Sequence, residues 1–133
     1  MCIRDRYALA QFPEEAFVIR ACEMAIGDGV RTQNAPFLLQ RALHHREHGP
    51  LVWEFVRDHW DEITGRFPRT LIARMLEGVT WLVDDASART VPEFVEAHPI
   101  PEGTRVIAQH LERQRVHRAL VAREGPDFTA YLR

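Results

Sequence analysis

Residues 31–68 read RTQNAPFLLQRALHHREHGPLVWEFVRDHWDEITGRFP, and this stretch decides the fold. Asn34 is suited to cap a helix and Pro36 to sit in its first turn, where a missing N–H costs nothing. Phe37, Leu38, Leu39, Ala42 and Leu43 give that helix its apolar residues. Gly49-Pro50 stops it and starts another. Then Trp53, Val56, Trp60, Ile63 and Phe67 succeed one another at alternating steps of three and four, the stripe of an amphipathic helix. Asp58, Asp61 and Glu62 fall on the opposite side.

Working outward, the punctuation stays helical. Pro13 with Glu14 and Glu15 opens a helix, since carboxylates favour the positive end of the helix dipole. Phe17, Ala21, Met24 and Ala25 recur at helical spacing, and Gly27-Asp28-Gly29 ends the run. Thr70 is placed to cap a helix whose stripe is Ile72, Met75, Val79 and Leu82. Thr90-Val91-Pro92-Glu93 reads as a capping box opening a short helix with Phe94, Val95 and Ala97. His98-Pro99-Ile100-Pro101 cannot continue it. The longest helix spans about Thr104 to Glu124, with Ile107, Leu111, Leu120 and Val121 apolar. Gly125-Pro126 ends it, and Asp127 caps a last turn holding Phe128, Tyr131 and Leu132. No segment alternates with period two or carries hairpin turn chemistry. The expectation is an all-α chain of roughly six to eight antiparallel helices.

The totals suit one domain. The chain has 133 residues, 46% hydrophobic and 27% charged, with net charge -2. A domain of this length buries about 68% of its unfolded surface. No basic field is present to draw nucleic acid or an anionic membrane, and no apolar run approaches the roughly 20 residues of a span. Cys2 and Cys22 form neither a metal pair nor a disulfide framework and suit a reducing compartment. All 17 basic residues are arginine. No physical demand excludes lysine from every solvated site, so this points to a GC-rich, bacterial source, and the expected location is the cytoplasm. Residues 1–6 fit no periodic pattern with the rest of the chain and look like a translated sequencing adapter. The domain is therefore read as residues 7–133.

The ordered set of motifs resembles the C-terminal helical domain of gluzincin zinc aminopeptidases, of the aminopeptidase N, puromycin-sensitive and endoplasmic-reticulum types. The matching residues are Arg31-Thr32-Gln33 before a helix, the Gly49-Pro50 break, Trp53-x-Phe55 and Trp60, and Phe67. Further along come Phe94-x-x-x-His98-Pro99, then Glu112-Arg113 and Tyr131-Leu132. One departure is Asn34, where an acidic residue is common in the family. The resemblance implies a HEAT- or armadillo-like α-solenoid, truncated at its N-terminus. It implies a domain that arches over a zinc catalytic domain of the same chain, restricts access and contacts the peptide substrate. The family's H-E-x-x-H and Gly-x-Met-Glu-Asn motifs are absent from this sequence. Zinc would then belong to the parent enzyme, and this stretch alone should not hydrolyse peptides. A different class of function, a freestanding helical scaffold for a protein partner, stands beside it. Such a scaffold needs polar terminal faces, whereas Tyr7, Leu9, Phe12 and Phe17 crowd the N-terminal end with apolar groups.

Three groups of residues invite sharper readings. His44-His45-Arg46-Glu47-His48 matches the inverted zinc motif H-x-x-E-H, with His44 and His48 on one helix face and Glu47 as base. The preferred reading is a solvated helix end, where basic groups suit the dipole. Arg31 and Gln33 are the substrate-binding candidates, because an arginine beside free helix N–H groups can hold a peptide carboxylate. Against that stands an ion pair for Arg31 and a turn-stabilising role for Gln33. Arg113, Arg115 and Arg118 form a basic run, ordinarily a solvated face, against which stands a role in lining the cavity or docking on the zinc domain that the resemblance implies. Trp53 and Trp60 are expected in the core, Trp81 half-exposed, and Cys22 as a small core residue.

Overall fold

A computed structural model describes residues 8, 10–27, 30–45 and 47–132, with side chains described as far as Glu124. The reading of residues 1–6 as foreign, the crowding by Tyr7 and Leu9, and the roles given to Asp127, Phe128 and Tyr131 lie outside the described residues or side chains. No strand occurs among the described residues. The chain is all-α: α1 (Glu15–Ile26), α2 (Ala35–Leu43), α3 (Gly49–Asp58), α4 (Trp60–Arg66), α5 (Arg69–Met75), α6 (Asp85–Ala97) and α7 (Thr104–Leu132). Short 3₁₀ helices at Leu76–Trp81 and Pro101–Gly103 join the later ones.

The helices alternate between two layers. One holds α1, the α3–α4 pair and α6, each touching the next; the other holds α2, α5 with its 3₁₀ extension, and α7. The expected stripe from Trp53 to Phe67 is buried throughout, with Trp53 at 1% exposure and Ile63 at 0%. It is shared by two helices rather than one. His59 adopts φ -108, ψ 21 between them, yet the His59 and Ile63 amides still bond to the Phe55 and His59 carbonyls. The stripe therefore stays in register across the break. Ile72, Met75, Val79 and Leu82 are likewise all buried, although the α-helix tightens to 3₁₀ after Met75.

Several helix starts differ from expectation. Asn34 stands at the N-cap position but makes no side-chain cap bond. Its backbone is near-helical at φ -103, ψ -27, not extended as capping geometry requires. Pro68, not Thr70, precedes α5, because the extended Pro68 marks the turn and leaves Thr70 one residue inside the helix. The capping box at Thr90 does not form. Asp84 caps α6 instead, its Oδ2 accepting from the Ser87 amide at 3.0 Å. Thr90 sits mid-helix with its hydroxyl accepting from Trp53 Nε1. On α1 the buried face is Val18, Ala21, Cys22 and Ala25, while Phe17 points outward against Phe12 in an edge-to-face pair. Gly27 ends α1, with the Arg66 guanidinium donating to its carbonyl at 3.1 Å.

The last helix departs most. α7 runs through Gly125-Pro126 to Leu132. A proline removes a single ladder bond and bends a helix without having to terminate it. Leu120 and Val121, among its apolar residues, are 44% and 49% exposed. Ile107 is buried and Leu111 half-buried, and the rest of the docking face is polar. His110 Nε2 donates to the Ala73 carbonyl, Gln114 Nε2 to Leu82 and His117 Nδ1 to Thr80, at 3.1, 2.8 and 2.7 Å. These three carbonyls belong to the end of α5 and to the 3₁₀ segment and its edge. Helix ends leave carbonyls without intrahelical partners, and α7 supplies the donors.

Candidate functional site

Two of the sequence motifs meet in space. Phe94 presents edge-to-face geometry to Trp53 and to Trp60, with ring centroids 5.3 and 5.1 Å apart. His98 stacks on Phe94 at 4.1 Å and meets Trp60 at 6.1 Å. The Trp-x-Phe-x-x-x-x-Trp segment of α3–α4 and the Phe-x-x-x-His-Pro segment of α6 thus form one aromatic cluster. It ties neighbouring members of the first layer together. Both tryptophans are core residues, as expected, with the Arg57 guanidinium 5.8 Å from the Trp53 ring.

Arg31 and Gln33 lie in the turn before α2, both exposed. The first turn of α2 offers little to a carboxylate. The Ala35 amide bonds to the Arg31 carbonyl, the Phe37 and Leu38 amides bond to Asn34, and Pro36 has no N–H. Any ligand at this corner would therefore be held by side chains.

The H-x-x-E-H segment is not a solvated helix end. α2 stops at Leu43, so His44 and His48 do not share a helix face. His45 is 7% exposed, and both its nitrogens are engaged with backbone. Nδ1 accepts from the Glu47 and His48 amides at 3.1 and 3.0 Å, and Nε2 lies 2.7 Å from the Phe12 carbonyl. An acceptor Nδ1 carries no proton, which places the proton on Nε2 as donor to Phe12. His48 Nε2 donates to the Pro13 carbonyl at 2.9 Å. His44 Nε2 is buried without a partner. His45 and His48 are arranged to hold backbone, not to converge with His44 on a metal ion. Among the described residues no three His, Cys, Asp or Glu side chains gather as a metal set.

The basic run on α7 is neutralised locally. Arg113 pairs with Glu77, Arg115 with Glu112, and Arg118 with Asp85 of α6. Arg115 holds the Glu112 carboxyl below the usual carboxylate range. Between α6 and α7 lies an open groove of about 390 Å³, floored by Ala88, Pro92, Ala108 and Leu111 and edged by Arg115 and Arg118. Pro92 brings no N–H to the Ala88 carbonyl one turn earlier. Sequence reasoning missed this groove, because a cleft between two helices has no local signature.

The residues of the aromatic cluster lie within a stretch that matches a known family. The family described as the ERAP1-like C-terminal domain matches residues 6–116. No curated protein matches the chain. With most of its length covered, the chain belongs to the ERAP1-like C-terminal domain family.

Proposed function

We propose that this chain is the C-terminal part of a zinc-dependent aminopeptidase, and that it covers the active-site cavity and helps gate or position peptide substrates. The observation that carries the reading is the family match over residues 6–116. The two-layer packing supports an α-solenoid, since each helix touches its layer neighbours. In this reading the catalytic zinc and its acid–base carboxylates come from the catalytic domain of the same polypeptide, and residues 7–133 contribute walls rather than chemistry. Arg31 and Gln33, exposed and close together in one turn, are the proposed peptide contacts.

The deciding experiment is to read the genomic frame upstream of the Tyr7 codon. A continuous frame bearing H-E-x-x-H, a downstream Glu and Gly-x-Met-Glu-Asn supports the reading. An in-frame stop just before a genuine start codon would overturn it and leave a freestanding helical scaffold. In the parent enzyme, Arg31→Ala should raise KM for peptides and leave KM for single-residue amides unchanged. Equal changes for both would remove Arg31 as a peptide contact.

A further inference from the structure

The segment from Ala10 to Pro13 is fastened to the α2–α3 corner by three side chain–backbone bonds. Gln11 Nε2 donates to the Arg41 carbonyl at 2.6 Å, His45 Nε2 to Phe12, and His48 Nε2 to Pro13. The two imidazole rings lie 4.9 Å apart. Ala10 is fully buried, but Phe12 is 43% exposed, so beyond Ala10 the segment relies on these bonds more than on burial.

We propose that this segment is a proton-operated strap, closed while His45 is neutral and released when His45 is protonated. The reason is the chemistry of Nδ1. It accepts two backbone N–H groups, those of Glu47 and His48. An imidazolium has donors at both nitrogens and no acceptor. Protonation would aim a third N–H at the two already converging there. The ring must then turn, and its bond to Phe12 goes with it. Among the described residues, the His48 ring faces His45 from the α3 side. The strap presents the Phe12 and Pro13 carbonyls to the two rings. Among the described residues no ion pair joins Glu14, Glu15 or Glu47 to either imidazole. Gln11 also lines a polar pocket of about 380 Å³ with Gln40, Arg41 and His44. His44 Nε2 is buried and unpaired.

The test is NMR on the full ¹⁵N,¹³C-labelled chain: imidazole nitrogen spectra, with backbone shifts followed through an acid titration. At neutral pH His45 should show an unprotonated Nδ1 and a protonated Nε2. On acidification the Phe12 and Pro13 carbonyl shifts should move in step with the His45 ring, while the Trp53 indole and the Val56 amide stay in place. In His45→Gln that coupled step should vanish. A protonated Nδ1 at neutral pH, a strap that ignores the ring, or a core that moves together with the strap would each overturn the proposal. If His45→Gln does not fold, the wild-type titration decides alone.

Discussion

Trp53 Nε1 donates a hydrogen bond to Thr90 Oγ1 at 3.2 Å, joining the buried stripe of α3 to the middle of α6. The bond accounts for the tryptophan's polar edge at a site where the ring is 1% exposed. It also explains why Thr90 opens no helix: its hydroxyl faces a neighbouring helix rather than its own amides. Thr90→Val keeps the shape and strands the indole N–H, so chemical denaturation should show a loss of about 1–3 kcal/mol. Trp53→Ala should cost roughly 3–5 kcal/mol by the same assay. A Thr90→Val variant as stable as wild type would show that the indole finds another acceptor.

Gly78 sits where the 3₁₀ helix crosses α2. A Cβ there would stand 2.5 Å from Leu43 Cβ and 2.9 Å from the Gln40 carbonyl oxygen, both held by buried helix. Gly78→Ala should therefore destabilise by about 1–3 kcal/mol through overpacking. Gly65, inside α4, has nothing within 4 Å of the same position. Gly65→Ala should stabilise by roughly 0.5–1 kcal/mol, because glycine only adds chain entropy there. The two variants, melted side by side, separate close approach from helix propensity.

His110 gives stability a pH dependence. Burial pushes its imidazole below the 6.5 of a free side chain, with the Ala73 carbonyl and Glu77 pulling partly the other way. In the folded state the ring stays neutral where the unfolded chain already binds a proton. The unfolded state therefore takes up more protons, and stability falls as pH drops below that value. His110→Gln, which retains a donor for Ala73, should flatten this part of the pH–stability curve. A curve unchanged by the substitution would assign the slope to other groups.

Cys22 lies wholly inside the α1 face, and burial pushes its thiol up to about 12. A thiol reacts as the thiolate, so Cys22 should be inert to a disulfide reagent near neutral pH while the chain is folded. Its labelling rate should track global unfolding as denaturant rises. Rapid native-state labelling at Cys22, identified by peptide mapping, would contradict the burial.

What the sequence alone determined was local. The stripes from Trp53 to Phe67 and from Ile72 to Leu82, the helix start at Gly49-Pro50 and the break at His98-Pro99 come from side-chain period and backbone chemistry and appear in the structure, although the helix before Gly49 already ends at Leu43. Those rules also yielded the all-α class, while the family came from a resemblance in motif order. They could not say where a helix face finds a neighbour. Leu120 and Val121 are as apolar as Ile107, yet Ile107 is buried and they are half-exposed, and the hydrogen bonds to the second layer come from His110, Gln114 and His117. His45 reads in sequence as a solvated helix end, and in the fold it clasps a segment 33 residues earlier. Thr90 reads as a cap, and Trp53 takes its hydroxyl. Periodicity belongs to a single helix and is written in its residues. A hydrogen-bond partner or a neighbouring face comes from distant chain, and only tertiary packing decides which one arrives.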